Sequence, residues 1–277
     1  MKNNRWIFIL LAFLPLFLGA QEEDYASSVF YFEKGSKQKV FSDRTKVRTA
    51  PNLTAAVLDS LASGQEIEIV KNTEIVTTLG KRSSYWYQIK YGEKTGYMWG
   101  GNISLGYRTR DGWLFLFGIG QSENRVLPSG EKSKVNLGSI KVLENNRLLD
   151  EAFFDIDSKE SMASATFTAN KSPFLDGVDY ILSASVGGEA CGVPTLTQPL
   201  LFANRKLIKL PLLLSVSDAG VYYHSEELIF PQNAKSRNLL IFKLEEGESE
   251  DEDAPLKVTK KEQKIYLWNG TDLSLKK

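Results

Sequence analysis

One cysteine and one histidine stand in a chain of 277 residues. A single cysteine excludes an internal disulfide framework and any cysteine-rich zinc site. Stability therefore has to come from ordinary apolar burial, and a chain of this length can bury a sizeable core. Charge of one sign is also lacking: 34 Lys and Arg balance 34 Asp and Glu. A basic nucleic-acid-binding surface is not expected from that balance. Long apolar runs are missing beyond the first twenty residues, so no later segment reads as a transmembrane helix. No segment carries a sustained apolar stripe of period 3.6, so long amphipathic helices are not expected. Hydrophobic residues at 42% and charged residues at 25% are ordinary globular values and exclude wholesale disorder. The length suggests roughly two domains of about 150 residues.

The amino terminus reads as an address. Lys2 and Arg5 precede an apolar run from Trp6 to Leu18, broken only by Pro15. Gly19 and Ala20 offer a small-residue cleavage point before the acidic Gln21-Glu22-Glu23-Asp24. This pattern predicts a secretory signal peptide over residues 1–20. The run is shorter than the roughly 18 to 20 residues of a spanning helix. No cysteine lies near the cut, which excludes a lipoprotein anchor. Loss of Lys2 and Arg5 leaves 32 basic against 34 acidic residues. The expected product is periplasmic or secreted, with no transmembrane segment after cleavage.

Strand signals dominate the remainder of the chain. Glu66-Ile67-Glu68-Ile69-Val70 and Trp86-Tyr87-Gln88-Ile89-Lys90 alternate apolar and polar residues, and Ile265 to Trp268 is a further β-rich run. A short turn of helix is the exception allowed, within Leu53 to Leu61. The expected fold class is mainly β: a small β-barrel with an antiparallel β-sandwich or β-meander domain after it. The divisions are a lead-in segment at 21–38, a first domain at 39–106 and a β-rich unit at 107–277. The lead-in carries Val29-Phe30-Tyr31-Phe32, a candidate extra strand. Leu143 to Leu148, Phe202 to Leu207 and Trp268 to Leu273 share an apolar residue, a turn with Asn or Gly, then Leu. That pattern is either a divergent repeat or the common grammar of tight hairpins. Glu245 to Asp253 is an acidic run expected to be a solvated loop rather than a calcium site.

Within residues 46–104 lie Lys46-Val47-Arg48-Thr49-Ala50-Pro51-Asn52, Val57-Leu58-Asp59-Ser60-Leu61, and Ser63-Gly64-Gln65 leading into Glu66-Ile67-Glu68-Ile69. Trp86-Tyr87-Gln88-Ile89, Gly92, Lys94-Thr95-Gly96-Tyr97-Met98 and Ile103 come after them. This order of anchors resembles the bacterial SH3-like (SH3b) domain. Ile67, Ile69, Trp86, Ile89 and Met98 are expected to line its core. Gly64 suits a tight turn, and Gly96 a bend or bulge before Tyr97. Lys46 and Ala50 depart from the usual residues. The stretch from Lys71 to Tyr85 is longer than usual, with Thr73 to Thr78 a candidate hairpin arm. The resemblance implies an accessory module of exported proteins. Some members bind peptidoglycan or its peptides. Tyr85, Tyr87, Tyr91, Tyr97 and Trp99 make the block rich in aromatics, which suit stacking on peptides or sugars. Tyr91, Tyr97 and Trp99 are the expected exposed contacts, with Trp86 beneath them in support.

The second class of function is catalytic. Cys191 and His224 are the sole cysteine and histidine, and their order suits a cysteine cell-wall hydrolase. Cys191 lies in Gly188-Glu189-Ala190-Cys191-Gly192-Val193-Pro194, whose helix breakers deny the thiol a helix dipole. It is expected to be a small buried hydrophobe. His224 comes directly after Tyr222 and Tyr223 in an expected turn, a second candidate patch. One histidine beside Asp218, Glu226 and Glu227 makes a poor metal site. No G-x-S-x-G or G-x-x-x-x-G-K-[ST] motif occurs. Gly118-Ile119-Gly120 is not a dinucleotide fingerprint, because Glu123 stands at the third glycine position. The expectation is a non-enzymatic binding module of the cell envelope, without cofactor or metal. Its partner would be a peptide, a cell-wall fragment or an envelope protein.

Overall fold

The computed structural model describes residues 30–80, 82–126, 130, 132–156, 162, 164–172, 174–188, 190–218, 220–249 and 255–276, with only the backbone at Ser133 and Lys134. The expected signal peptide and the end of the acidic run lie outside them. The described residues form strands and two short 3-10 turns, with no α-helix. The chain is mainly β, as its alternating pattern indicates.

The first sheet has six strands: β1 (Lys37–Lys39), β2 (Thr45–Arg48), β3 (Val57–Leu61), β4 (Glu66–Leu79), β5 (Arg82–Tyr91) and β6 (Lys94–Trp99). Their order is β1-β4-β5-β6-β2-β3, and the sheet curls around one core. Val47, Ile67, Ile69, Tyr87, Ile89 and Met98 fill that core. Trp86 is buried but belongs to the other face, contrary to expectation. Side chains alternate along a strand, so Tyr87 and Ile89 point inward together and Trp86 points outward. The helix turn allowed within 53–61 is also corrected, since Val57 to Leu61 forms β3. Gly64 takes a left-handed φ of 85°, as a tight turn requires. Gly96 serves packing rather than a bend: a side chain there would collide with Val47.

A four-stranded sheet comes next, built from β7 (Gly106–Arg110), β8 (Trp113–Val126), β9 (Lys132–Glu144) and β10 (Arg147–Asp155), in the order β10-β9-β8-β7. The remaining strands are β11 (Ser164–Lys171), β12 (Val178–Gly187), β13 (Thr195–Ala203), β14 (Lys206–Lys209), β15 (Leu213–Asp218), β16 (Tyr222–Ile229), β17 (Leu239–Glu248), β18 (Lys257–Trp268) and β19 (Leu273–Leu275). They form one antiparallel sheet, with β14 paired to β13 off the main path. Its β11–β14 part faces the four-stranded sheet. Phe115, Phe117, Phe154, Phe167, Leu182 and Phe202 pack between them. β7 approaches β11 and β10 approaches β14, which closes the sandwich at both edges. Leu201 and Ala203, on the other face of β13, join Leu240, Phe242, Leu244 and Trp268 in a second core.

The three similar sequence patterns are all hairpin connections. Asn145-Asn146 and Asn204-Arg205 have positive φ at both turn residues, which matches the twist of two-residue hairpins. The third, around Gly270, is held by Asn269 Oδ1 accepting from the backbone of Thr271 and Asp272. The acidic run is not wholly a loop. Glu245 to Glu248 are part of β17, where Glu245 pairs in register with Lys261 and Glu246 with Lys260. Opposite charges across strands make this stretch of glutamates compatible with a sheet.

The lead-in is not a strand at Phe30 to Phe32. Phe30 enters the sandwich core and Phe32 the barrel core. Tyr87 Oη accepts from the backbone N–H of Phe32 at 3.1 Å. A second seam joins the units: Phe41, ahead of β2, packs with Leu116 and Leu143 on the outer face of the four-stranded sheet. Lys141 Nζ lies 4.4 Å from the centre of the Phe41 ring and donates to the Phe41 carbonyl at 3.2 Å.

Candidate functional site

The expected site is built on β5 and β6. Trp86 pairs with Trp99, Tyr87 with Met98, Gln88 with Tyr97 and Tyr91 with Lys94. Directly paired residues share a face, so Trp86, Trp99, Gln88 and Tyr97 all lie outside the barrel core. Trp86 and Trp99 are nevertheless only 1% and 4% exposed. The long β4–β5 hairpin covers them. Its Thr77 takes both indoles: Trp86 Nε1 donates to Thr77 Oγ1 at 2.8 Å, and Trp99 Nε1 to the Thr77 carbonyl at 2.9 Å.

The arm owes its shape to a bulge. The register shifts between Asn72 and Val76, and Glu74 takes a left-handed φ of 62°. Asn72 Oδ1 accepts from Glu74 N, and Thr73 Oγ1 donates to the Trp86 carbonyl at 2.7 Å. Small polar side chains thus replace the interrupted ladder bonds. The extra length after Lys71 is a hairpin arm, as its sequence suggested.

Two of the expected contacts are therefore corrected. Trp99 is sealed beneath the arm. Tyr91 is buried against the barrel core, because it shares the inward face of Tyr87 and Ile89. Burial pushes the Tyr91 phenol pKa up, and that of Tyr87 up to about 12. Tyr97 alone of the four keeps substantial surface, being half-buried. It lies in a cross-strand row. Val57 on β3 pairs with Arg48 on β2, Arg48 with Tyr97 on β6, Tyr97 with Gln88 on β5, and Gln88 with Lys71 on β4. Val57 is 50% exposed, and β3 is an edge strand. The row offers an apolar residue, an aromatic ring, an amide and two cations. Nothing in the local pattern marked it, because each of its residues comes from a different strand.

A second exposed aromatic lies elsewhere. Tyr31 is 62% exposed and stands edge-on to Tyr85 at 6.4 Å. Tyr85 in turn stands edge-on to the buried Tyr87 at 6.5 Å.

The Cys191 and His224 surroundings differ from expectation. Cys191 is exposed, not buried. Tyr222, Tyr223 and His224 begin strand β16 rather than a turn. His224 Nδ1 and Glu246 Oε1 stand 2.9 Å apart. Nε2 lies 3.3 Å from Glu226 Oε1, without hydrogen-bond alignment. Both ring nitrogens face carboxylates. A cysteine hydrolase needs one of them beside its thiol. Among the described residues no group of three or more His, Cys, Asp or Glu is arranged to hold a metal ion.

Residues 43–104 match the family model of the bacterial SH3 domain. These residues span β2 to β6, which make up most of the curled sheet. No curated protein and no solved structure matches the chain. No helix among the described residues is long and apolar enough to cross a membrane.

Proposed function

We propose that the chain is a non-catalytic binding protein of the bacterial cell envelope, whose SH3 domain takes a peptide or peptidoglycan fragment on its outer face. The amino-terminal pattern supports export. The observation that carries the binding reading is the row Val57, Arg48, Tyr97 and Gln88, which ends at an edge strand. An edge strand offers main-chain groups to an extended peptide, and a neighbouring ring gives it something to stack on. Arg48 and Lys71 suit an acidic group on the same ligand. Trp86 and Trp99 act as buttresses under the arm rather than as contacts. The hydrolase reading draws no support from His224, whose two nitrogens face glutamates.

Retention on purified cell wall tests this reading. Wild type is expected to be retained and Tyr97→Ala to be released, with unchanged thermal stability. Equal retention of the two removes the row from the account.

A further inference from the structure

Arg82 begins β5 at the tip of the hairpin arm, at the seam between barrel and sandwich. One of its terminal nitrogens donates to the carbonyl of Gly101, just past β6. The other donates at 3.3 Å to the carbonyl of Gly120, in β8. The guanidinium carbon stands 5.1 Å from the centre of the Trp99 ring. Nε is buried with no partner.

What this cation lacks is a negative charge. Arg125 pairs with Glu123 and Asp155, Arg205 with Glu144, and Arg237 with Asp176. Arg82 has no such ion pair among the described residues. Burial pulls its pKa down to about 10, and no neighbouring charge opposes that shift. Buried charges are as a rule paired, because desolvation is costly. Two carbonyls and a ring face offset only part of that cost. The buried Nε adds a donor that no described residue satisfies, and buried donors are as a rule hydrogen-bonded.

We propose that Arg82 is an anion subsite, at which an oxyanion from outside the chain pairs with the guanidinium beside Trp99. Carboxylate and phosphate share the required chemistry, since both accept paired N–H bonds from a guanidinium. Arg82 keeps part of its surface and belongs to neither the barrel core nor the sandwich core.

The test uses the full chain, labelled with nitrogen-15 and titrated with sodium acetate or inorganic phosphate against chloride at constant ionic strength. The indole N–H signal of Trp99 is expected to move saturably with acetate, phosphate or both, and not with chloride. A response to acetate assigns the site to carboxylates, and a response to phosphate to phosphate groups. Arg82→Gln is expected to abolish the movement. Should that variant not fold, Arg82→Lys keeps the charge but loses the paired geometry, and its response is expected to weaken. Absence of a saturable shift in wild type overturns the proposal, as does a wild-type response in folded Arg82→Gln. Tyr97→Ala is expected to keep the anion response, so this subsite and the cell-wall reading fail separately.

Discussion

The ring of Phe41 occupies the space that Gly118 leaves by having no side chain. A Cβ on Gly118 would stand 2.6 Å from Phe41 Cγ, closer than packed carbons approach. Phe41 belongs to the barrel block and Gly118 to β8 of the sandwich. The barrel is therefore seated in the sandwich by a buried aromatic ring, which contributes on the order of 1.5–3 kcal/mol.

Gly118→Ala is expected to lower the stability of the whole chain by about 1–3 kcal/mol through overpacking. Chemical denaturation measures it. In a Phe41→Ala background the same substitution is expected to cost much less, because the ring it collides with is gone. An equal cost in both backgrounds would place the strain elsewhere.

Tyr97→Ala and Trp99→Ala are expected to behave differently. The first removes ligand contact and leaves the melting temperature within a degree or two of wild type, as roughly expected for a partly exposed site. The second removes a buried ring and costs about 3–5 kcal/mol. A cell-wall retention assay run beside thermal denaturation separates the two.

Thr77→Val keeps the shape of the arm and removes the hydroxyl that accepts from Trp86 Nε1. The Thr77 carbonyl still serves Trp99. A buried indole N–H left unpaired costs about 1–3 kcal/mol. Denaturation monitored by tryptophan fluorescence is expected to show that loss. Serine at the same position is expected to restore most of it.

Alkaline pH is expected to destabilise the fold through its buried phenols. Burial raises Tyr87 to about 12 against an ordinary 10.0, and Tyr180, again mainly through burial, to about 12. The folded state thus favours the neutral form. Its contribution is complete below pH 10 and is lost as pH climbs towards 12. An ultraviolet titration should show these two phenols ionising late, together with unfolding. Tyr87→Phe is expected to remove one of the late ionisations.

Cys191 is exposed, so a thiol reagent is expected to modify it in the folded chain without denaturant. Cys191→Ser is expected to leave cell-wall retention unchanged. Neither form is expected to clear a cell-wall suspension. Clearing that depends on Cys191 would restore the hydrolase reading.

Much of the barrel was legible because its signals are local. Ile67, Ile69, Ile89 and Met98 sit in the core as the alternating pattern indicates, and Gly64 makes the tight turn its residue type suggests. The outward face of Trp86 is legible in the same spacing. Trp86 and Ile89 are three residues apart and cannot share a face of a regular strand, whereas Tyr87 and Ile89 can. The same parity puts Tyr91 inside and Tyr97 outside. Exposure was not legible. Trp99 faces outward by parity yet is buried, because Thr77, 22 residues away, folds over it. The glutamates of β17 looked like a loop until the register set lysines of β18 opposite them.

The sequence by itself determined the strand content, the barrel motif and the absence of disulfides, because alternation and turn chemistry act over a few residues. Tertiary structure decided which aromatics meet solvent, why Gly118 is glycine and where Arg82 ends. Each depends on a neighbour brought in from another strand, and local periodicity holds no record of what will cover a face.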